Sequence, residues 1–142
     1  MGIYIKKFMK RILSLLLMLL ISATIFAQHP KMREVFYQVK LANALNADNE
    51  IVLDDKARVD IVTDTFAIEV DFAEKWAESI GQSLYYSIRM DKKPGVLLLV
   101  NGNNDEKLIR RLAEVAIKYN ITVWIMDYNT DEWRKLDILN KF

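Results

Sequence analysis

The chain has 142 residues, about one domain's worth, with 20 Lys and Arg against 19 Asp and Glu and a formal charge of +1. The absence of cysteine excludes disulfides, a thiol nucleophile, a zinc–thiolate site and a lipidated N-terminal cysteine. The one histidine, His29, lies beside an expected cleavage point, which takes a His-based triad or a His-rich metal site out of reach.

The N-terminal segment begins with Lys6, Lys7, Lys10 and Arg11, continues as an apolar run from Ile12 to Phe26, and meets polar sequence after Ala27. That order is the layout of a secretory signal peptide over residues 1–27. The run is short for a bilayer-spanning helix and is diluted by Ser14, Ser22 and Thr24, so a retained membrane anchor is the alternative. Export to the periplasm or the medium is the expectation, with any membrane contact confined to this segment. Its removal takes away four bases and no acid, leaving 16 bases against 19 acids in residues 28–142, a net −3. A mildly acidic domain argues against broad electrostatic capture of nucleic acid but is compatible with a local basic groove.

No repeat, low-complexity stretch or Pro/Gly/Ser linker divides residues 28–142, which read as a single domain; a homodimer is compatible with the pattern. Val35, Phe36, Val39, Leu41, Ala42 and Leu45 make a helical stripe from Met32 to Leu45. "EIVLDD" predicts a short strand, and "RVDIVT" and "FAIEVDF" predict two more. Trp76, Ile80, Leu84 and Ile88 return to helical spacing between Ala73 and Met90, which Pro94 and Gly95 end. Gly81 inside that helix suggests close packing on the sheet or on a ligand. "GVLLLV" reads as a strand buried on both faces, Glu106 to Tyr119 as an amphipathic helix and "TVWIM" as a last strand. "TDEWRKLDILNKF" predicts a C-terminal helix capped by Thr130. The order α-β-β-β-α-β-α-β-α implies an α/β fold, a mixed sheet with helices on both faces.

Strand alternation puts Glu69 and Asp71 on one face of "FAIEVDF" with Ala67, opposite Phe66, Ile68, Val70 and Phe72. With Asp64 and Thr65 as a two-residue hairpin loop, counting back sets Asp60 opposite Glu69 and Arg58 opposite Asp71. Two facing carboxylates repel unless a positive charge lies between them, and a divalent cation such as Mg²⁺ answers that need with oxygen ligands. The plainer alternative is a pair of solvent-facing acids, with Asp71 in a salt bridge to Arg58. On the next helix a polar stripe passes through Lys75, Glu78, Gln82 and Tyr85 or Tyr86, with Lys75 four residues beyond Asp71. "NGNND" lacks the glycines and lysine of a phosphate-binding loop.

These residues resemble the PD-(D/E)XK nuclease superfamily, the restriction-endonuclease-like and RecB-like nucleases, over roughly residues 32 to 126. Asp60 is similar to the motif Asp and Glu69 to the motif Glu. Gln82 and Tyr86 are similar to a Gln-x-x-x-Tyr element, and Glu34 to an acid that some branches carry on the first helix. Where the family has its lysine this chain has Asp71, and Lys75 is the relocated candidate, with Arg58 second. The resemblance implies an α-β-β-β-α-β core and Mg²⁺- or Mn²⁺-dependent hydrolysis of DNA or RNA. Asp60, Glu69, Lys75 and Gln82 would be catalytic, with Arg58 and Tyr86 on the substrate. The metal ligands would be Asp60, Glu69 and the Val70 carbonyl, joined by Asp71 and Glu34 if they reach. The alternative it leaves is a degenerate, non-cutting module that binds nucleic acid or an envelope protein.

Overall fold

The computed structural model describes residues 7–18 and 30–137, with side chains described from Glu34 onward in the second stretch. The expected signal segment therefore lies for the most part outside the described residues. The chain divides into two units, Met1–Arg33 and Glu34–Phe142. In the first, helix α1 covers residues 7–18, and every residue of it is exposed. Among the described residues no helix is long and apolar enough to cross a membrane.

The second unit is an α/β fold on a six-stranded mixed sheet whose strands lie in chain order. Its elements are α2 (Pro30–Leu45, in this unit from Glu34 onward), β1 (Asp48–Val52), β2 (Arg58–Val62), β3 (Phe66–Phe72), α3 (Trp76–Met90), β4 (Lys93–Val100), α4 (Glu106–Tyr119), β5 (Thr122–Asp127) and β6 (Glu132–Lys135). Strands β1, β2 and β3 run antiparallel, β3, β4 and β5 run parallel through the crossover helices, and β6 returns antiparallel to β5.

Because β4 is covered on both sides, its alternating residues build two cores. Leu97 and Leu99 meet Tyr37, Leu41 and Ala42 of α2, whereas Val96, Leu98 and Val100 meet Leu112, Ala113 and Ala116 of α4. Helix α3 covers the same face as α4 and presents its most buried stripe as Ser79, Ser83 and Ser87, each hydroxyl donating to the carbonyl three residues back. Small side chains at that spacing let the helix lie close to the sheet. Gly95 does the same for β4, since a Cβ there would come within 2.9 Å of both Ile68 and Trp124. Helices α3 and α4 end on left-handed Asp91 and Asn120, whose N–H groups close back on Ser87 and Ala116.

Three expectations are corrected. The segment after Thr130 is strand β6 rather than a helix, because turn chemistry prevails. The Asn129 amide donates to Asp127 Oδ1, Asp131 takes φ +60°, and the Thr130 hydroxyl accepts from the amide of Glu132, two residues on. The rest of the predicted helix, residues 138–142, lies outside the described residues. Gly81 has nothing within 4 Å of where a Cβ would stand, so it marks no close approach. Phe36, Val39 and Ile88 point outward, the inner stripe of α2 running instead through Tyr37, Gln38, Leu41 and Ala42.

Candidate functional site

The site grows from the β2–β3 hairpin. Thr63 accepts the amides of Thr65 and Phe66 on its hydroxyl and donates its own amide to the Phe66 carbonyl, fixing the two-residue loop at Asp64 and Thr65. That loop sets Val62 opposite Ala67 and Ile61 opposite Ile68. The next step would be Asp60 opposite Glu69, and there the regular pairing stops. The Val70 amide, which would otherwise meet Val59, donates instead to Asp60 Oδ2 at 2.9 Å.

The interruption re-aims β2. Val59 and Val62, three residues apart, both pack with Tyr86 of α3, while Ile61 packs with α2. Strict alternation forbids that arrangement, so the strand turns at Asp60. On the β1 side the ladder pairs Asn49 with Ile61 and Ile51 with Val59 but skips Glu50, which takes φ +55° across from Asp60. Left-handed backbone at a non-glycine residue is uncommon and concentrates where surrounding structure enforces it.

Glu69 and Asp71 lie on the α3 face of β3, as alternation predicts, and both are buried, at 6% and 3% exposure. Burial pushes the Glu69 carboxyl up to about 9, and the charges of Asp60, Asp71, Glu34 and Glu78 act in the same direction. Burial likewise lifts Asp60 to about 6, against the pull of the Val70 N–H and of Arg58. Among the described residues, the buried side-chain atoms without a hydrogen-bond partner are Glu69 Oε2 and Gln82 Oε1. Gln82 lies beside the Tyr86 hydroxyl, whose ionisation is suppressed by burial and then by the Glu69 charge.

Lys75 Nζ stands 3.4 Å from Asp71 Oδ1. This oxygen also accepts the Phe72 amide. Burial raises the Asp71 pKa and Lys75 pulls it down; Asp71 in turn holds the Lys75 ammonium above its usual range. The expected Arg58–Asp71 pairing is corrected: Arg58 belongs to the β1–β2 ladder opposite Val52 and pairs with Glu50 at 3.5 Å. It remains within electrostatic reach of Asp60. Glu34, at the start of α2, acts on both Glu69 and Lys75.

The hairpin thus gathers Asp60, Glu69, Asp71, Lys75, Gln82 and Tyr86 at one face of β3. Two contributors escaped the sequence reading. Glu78 is visible there only as one polar position among several. Gln38, 2% exposed, donates from Nε2 to the Asp60 carbonyl at 2.8 Å, a contact between α2 and β2 that no local spacing encodes.

The chemistry of this donor set suits a hard divalent cation. A buried carboxylate oxygen without a donor, inside a group of like charges, lacks a positive partner. Mg²⁺ is commonly held by one or two carboxylates, with water and phosphate completing its shell. N–H and C=O of one strand residue point to the same side, so Val70 directs its carbonyl into the gap where its amide meets Asp60. Among the described residues no three carboxylate or histidine groups form a ready-made cage. A cation held by Asp60, Glu69 and the Val70 carbonyl alone would keep most of its shell for water or substrate.

No family model matches the chain, and no solved structure matches it. Among curated proteins it is 30% identical over 69 residues to a protein of Acanthamoeba polyphaga mimivirus provisionally described as KilA-N domain-containing. The match takes in 49% of this chain and 19% of that protein, so the chain spans about a fifth of the length of the relative it matches.

Proposed function

We propose that residues 34–137 form a PD-(D/E)XK-like domain that hydrolyses phosphodiester bonds in DNA or RNA with Mg²⁺ or Mn²⁺. The observation that carries this reading is the β2–β3 ladder interrupted at Asp60, whose carboxylate acts on a Glu69 that is buried with an unpartnered oxygen. The element order from α2 through β4 and the Gln82–Tyr86 pair on α3 support the same family.

Asp60, Glu69 and the Val70 carbonyl would hold the cation, which when bound supplies an acidified water and charge neutralisation at the phosphate. Lys75, the residue just before α3, extends a cation whose side chain is 56% exposed and so accessible to a phosphate. Asp71 supplies the carboxylate that keeps this ammonium at the site's edge, a pair standing where the family has one lysine. Gln82 offers an acceptor for the attacking water or a bound donor, and Tyr86 closes the apolar side of the site against Val59 and Ala67. Residues 1–27 would direct the domain out of the cytoplasm.

The test is cleavage of single- and double-stranded DNA and RNA with Mg²⁺ or Mn²⁺, comparing wild type with Asp60→Asn and Glu69→Gln. Loss of a ligand should cost more than the roughly 10–100-fold typical of outer-shell partners. A wild-type protein that neither cuts any of these polymers nor binds either ion rules the reading out. The second reading, a non-cutting module that binds nucleic acid or an envelope protein, is favoured by Lys75 being tied to Asp71. It expects binding that survives Glu69→Gln unchanged.

A further inference from the structure

Asp60 has its backbone toward β1, as Arg58 and Val62 do, but alone in β2 it has no partner in that ladder. Glu50, across from it, is left-handed and absent from the ladder. A carbonyl that loses its strand partner inside the fold needs another donor, since leaving it unsatisfied is costly. Gln38 supplies that donor through its side-chain amide at 2.8 Å. Its neighbours on the inner stripe of α2, Tyr37, Leu41 and Ala42, meet the apolar core, so a buried amide there is anomalous for packing alone.

We propose that Gln38 is a positioning residue: by holding the Asp60 carbonyl it keeps β2 out of its regular ladder, so that the Asp60 carboxylate caps the Val70 amide and faces Glu69. This inference rests on reading the Asp60–Glu69 pair as a cation site. The two ends of Asp60 are fixed from different elements, the carbonyl by α2 and the carboxylate by β3. Glu34, one turn before Gln38 on the same side of α2, is brought into electrostatic range of Glu69 by the same docking. Gln38 therefore couples the helix that carries one acid to the strand that carries another.

The experiment compares wild type with Gln38→Met, which keeps volume and removes the donor, using Mn²⁺ titration by calorimetry and amide hydrogen exchange by NMR. The expected result is Mn²⁺ affinity weakened about 10–100-fold, as for loss of an outer-shell partner. The Val70 amide should exchange on the order of tenfold faster while the Ile68 amide, in the intact part of the hairpin, is unchanged. A folded Gln38→Met protein with wild-type Mn²⁺ affinity and wild-type Val70 protection overturns the proposal. If Gln38→Met does not fold, Gln38→Asn, which keeps the amide but is one methylene too short, is read in the same way. Wild-type protein that binds no Mn²⁺ overturns the cation-site reading instead, and the Val70 amide still decides whether Gln38 positions Asp60.

Discussion

Glu69 carries the largest electrostatic strain at the site. Its carboxyl is pushed up to about 9 from an ordinary 4.5, by burial first and by four neighbouring acids next. Between those two values the native protein holds a proton that the unfolded chain has released, so stability without a cation falls as pH rises through that window. Asp60, lifted to about 6 from 3.8, adds to the fall in its lower part. Metal-free protein should therefore melt higher at about pH 5 than at about pH 8. Glu69→Gln should flatten that dependence and stabilise the metal-free protein at about pH 8 by on the order of a few kcal/mol. Thermal melts in a chelator across this range check it; a steep, unchanged profile in Glu69→Gln would contradict the assignment. Lys75 answers to a different measurement. If its ammonium stabilises charge in the transition state, Lys75→Ala should lower kcat by about 10²-fold or more with little change in Mn²⁺ affinity. The register of the hairpin as far as Ile61 opposite Ile68 was legible in the sequence because a two-residue loop dictates it; Asp60 and Glu69, one step on, form no ladder pair. The partners of Arg58 and Asp71 were not legible, because the ladder on which that count depended ends one step earlier.

At the level of elements, the order through β5 could be read from hydrophobic periodicity because each element is long and its pattern unambiguous. Strand β6 could not, since all four of its residues are exposed on a sheet edge and only the turn before it sets its conformation. The inner face of α3 was hidden for another reason. Serine reads as polar surface, yet Ser79, Ser83 and Ser87 are buried because their hydroxyls are satisfied within the helix and their size permits close approach. Close approach is what carries Gln82 and Tyr86 over β3, so enlarging this stripe should damage stability and site together. Ser83→Leu should cost about 1–3 kcal/mol by overpacking and should weaken Mn²⁺ binding as well. Gly95→Ala, whose new methyl would press on Ile68 and Trp124, should cost a similar amount, about 1–3 kcal/mol. Denaturant titrations of both variants measure the loss. Gly81→Ala is the control: with open space around it and a helical position, it should stabilise by roughly 0.4–1 kcal/mol.

For the molecule as a whole, the cation site proposed at one face of β3 predicts that folding and cation binding are linked. Asp60, Asp71, Glu34 and Glu78 all act on Glu69, and the nearby cations are already engaged, Lys75 with Asp71 and Arg58 with Glu50. A divalent ion bound by the native site and not by the unfolded chain stabilises by about 2.7 kcal/mol at a hundred times its Kd. For a domain of this size that corresponds to a rise in Tm of roughly 10 °C. The rise should grow from about pH 5 to about pH 8, as binding ceases to compete with the Asp60 proton and competes less with the Glu69 proton. A chelator should reverse it, and a monovalent salt at matched ionic strength should not reproduce it, because screening acts weakly on buried pairs. Glu69→Gln should lose the cation response while melting at least as high as wild type in chelator, since it removes a buried acid whose ionisation the native fold opposes. That opposite movement separates a binding site from a merely structural pair of acids: structural acids would show no cation-dependent Tm in wild type, and their loss would change the melt identically with and without Mn²⁺.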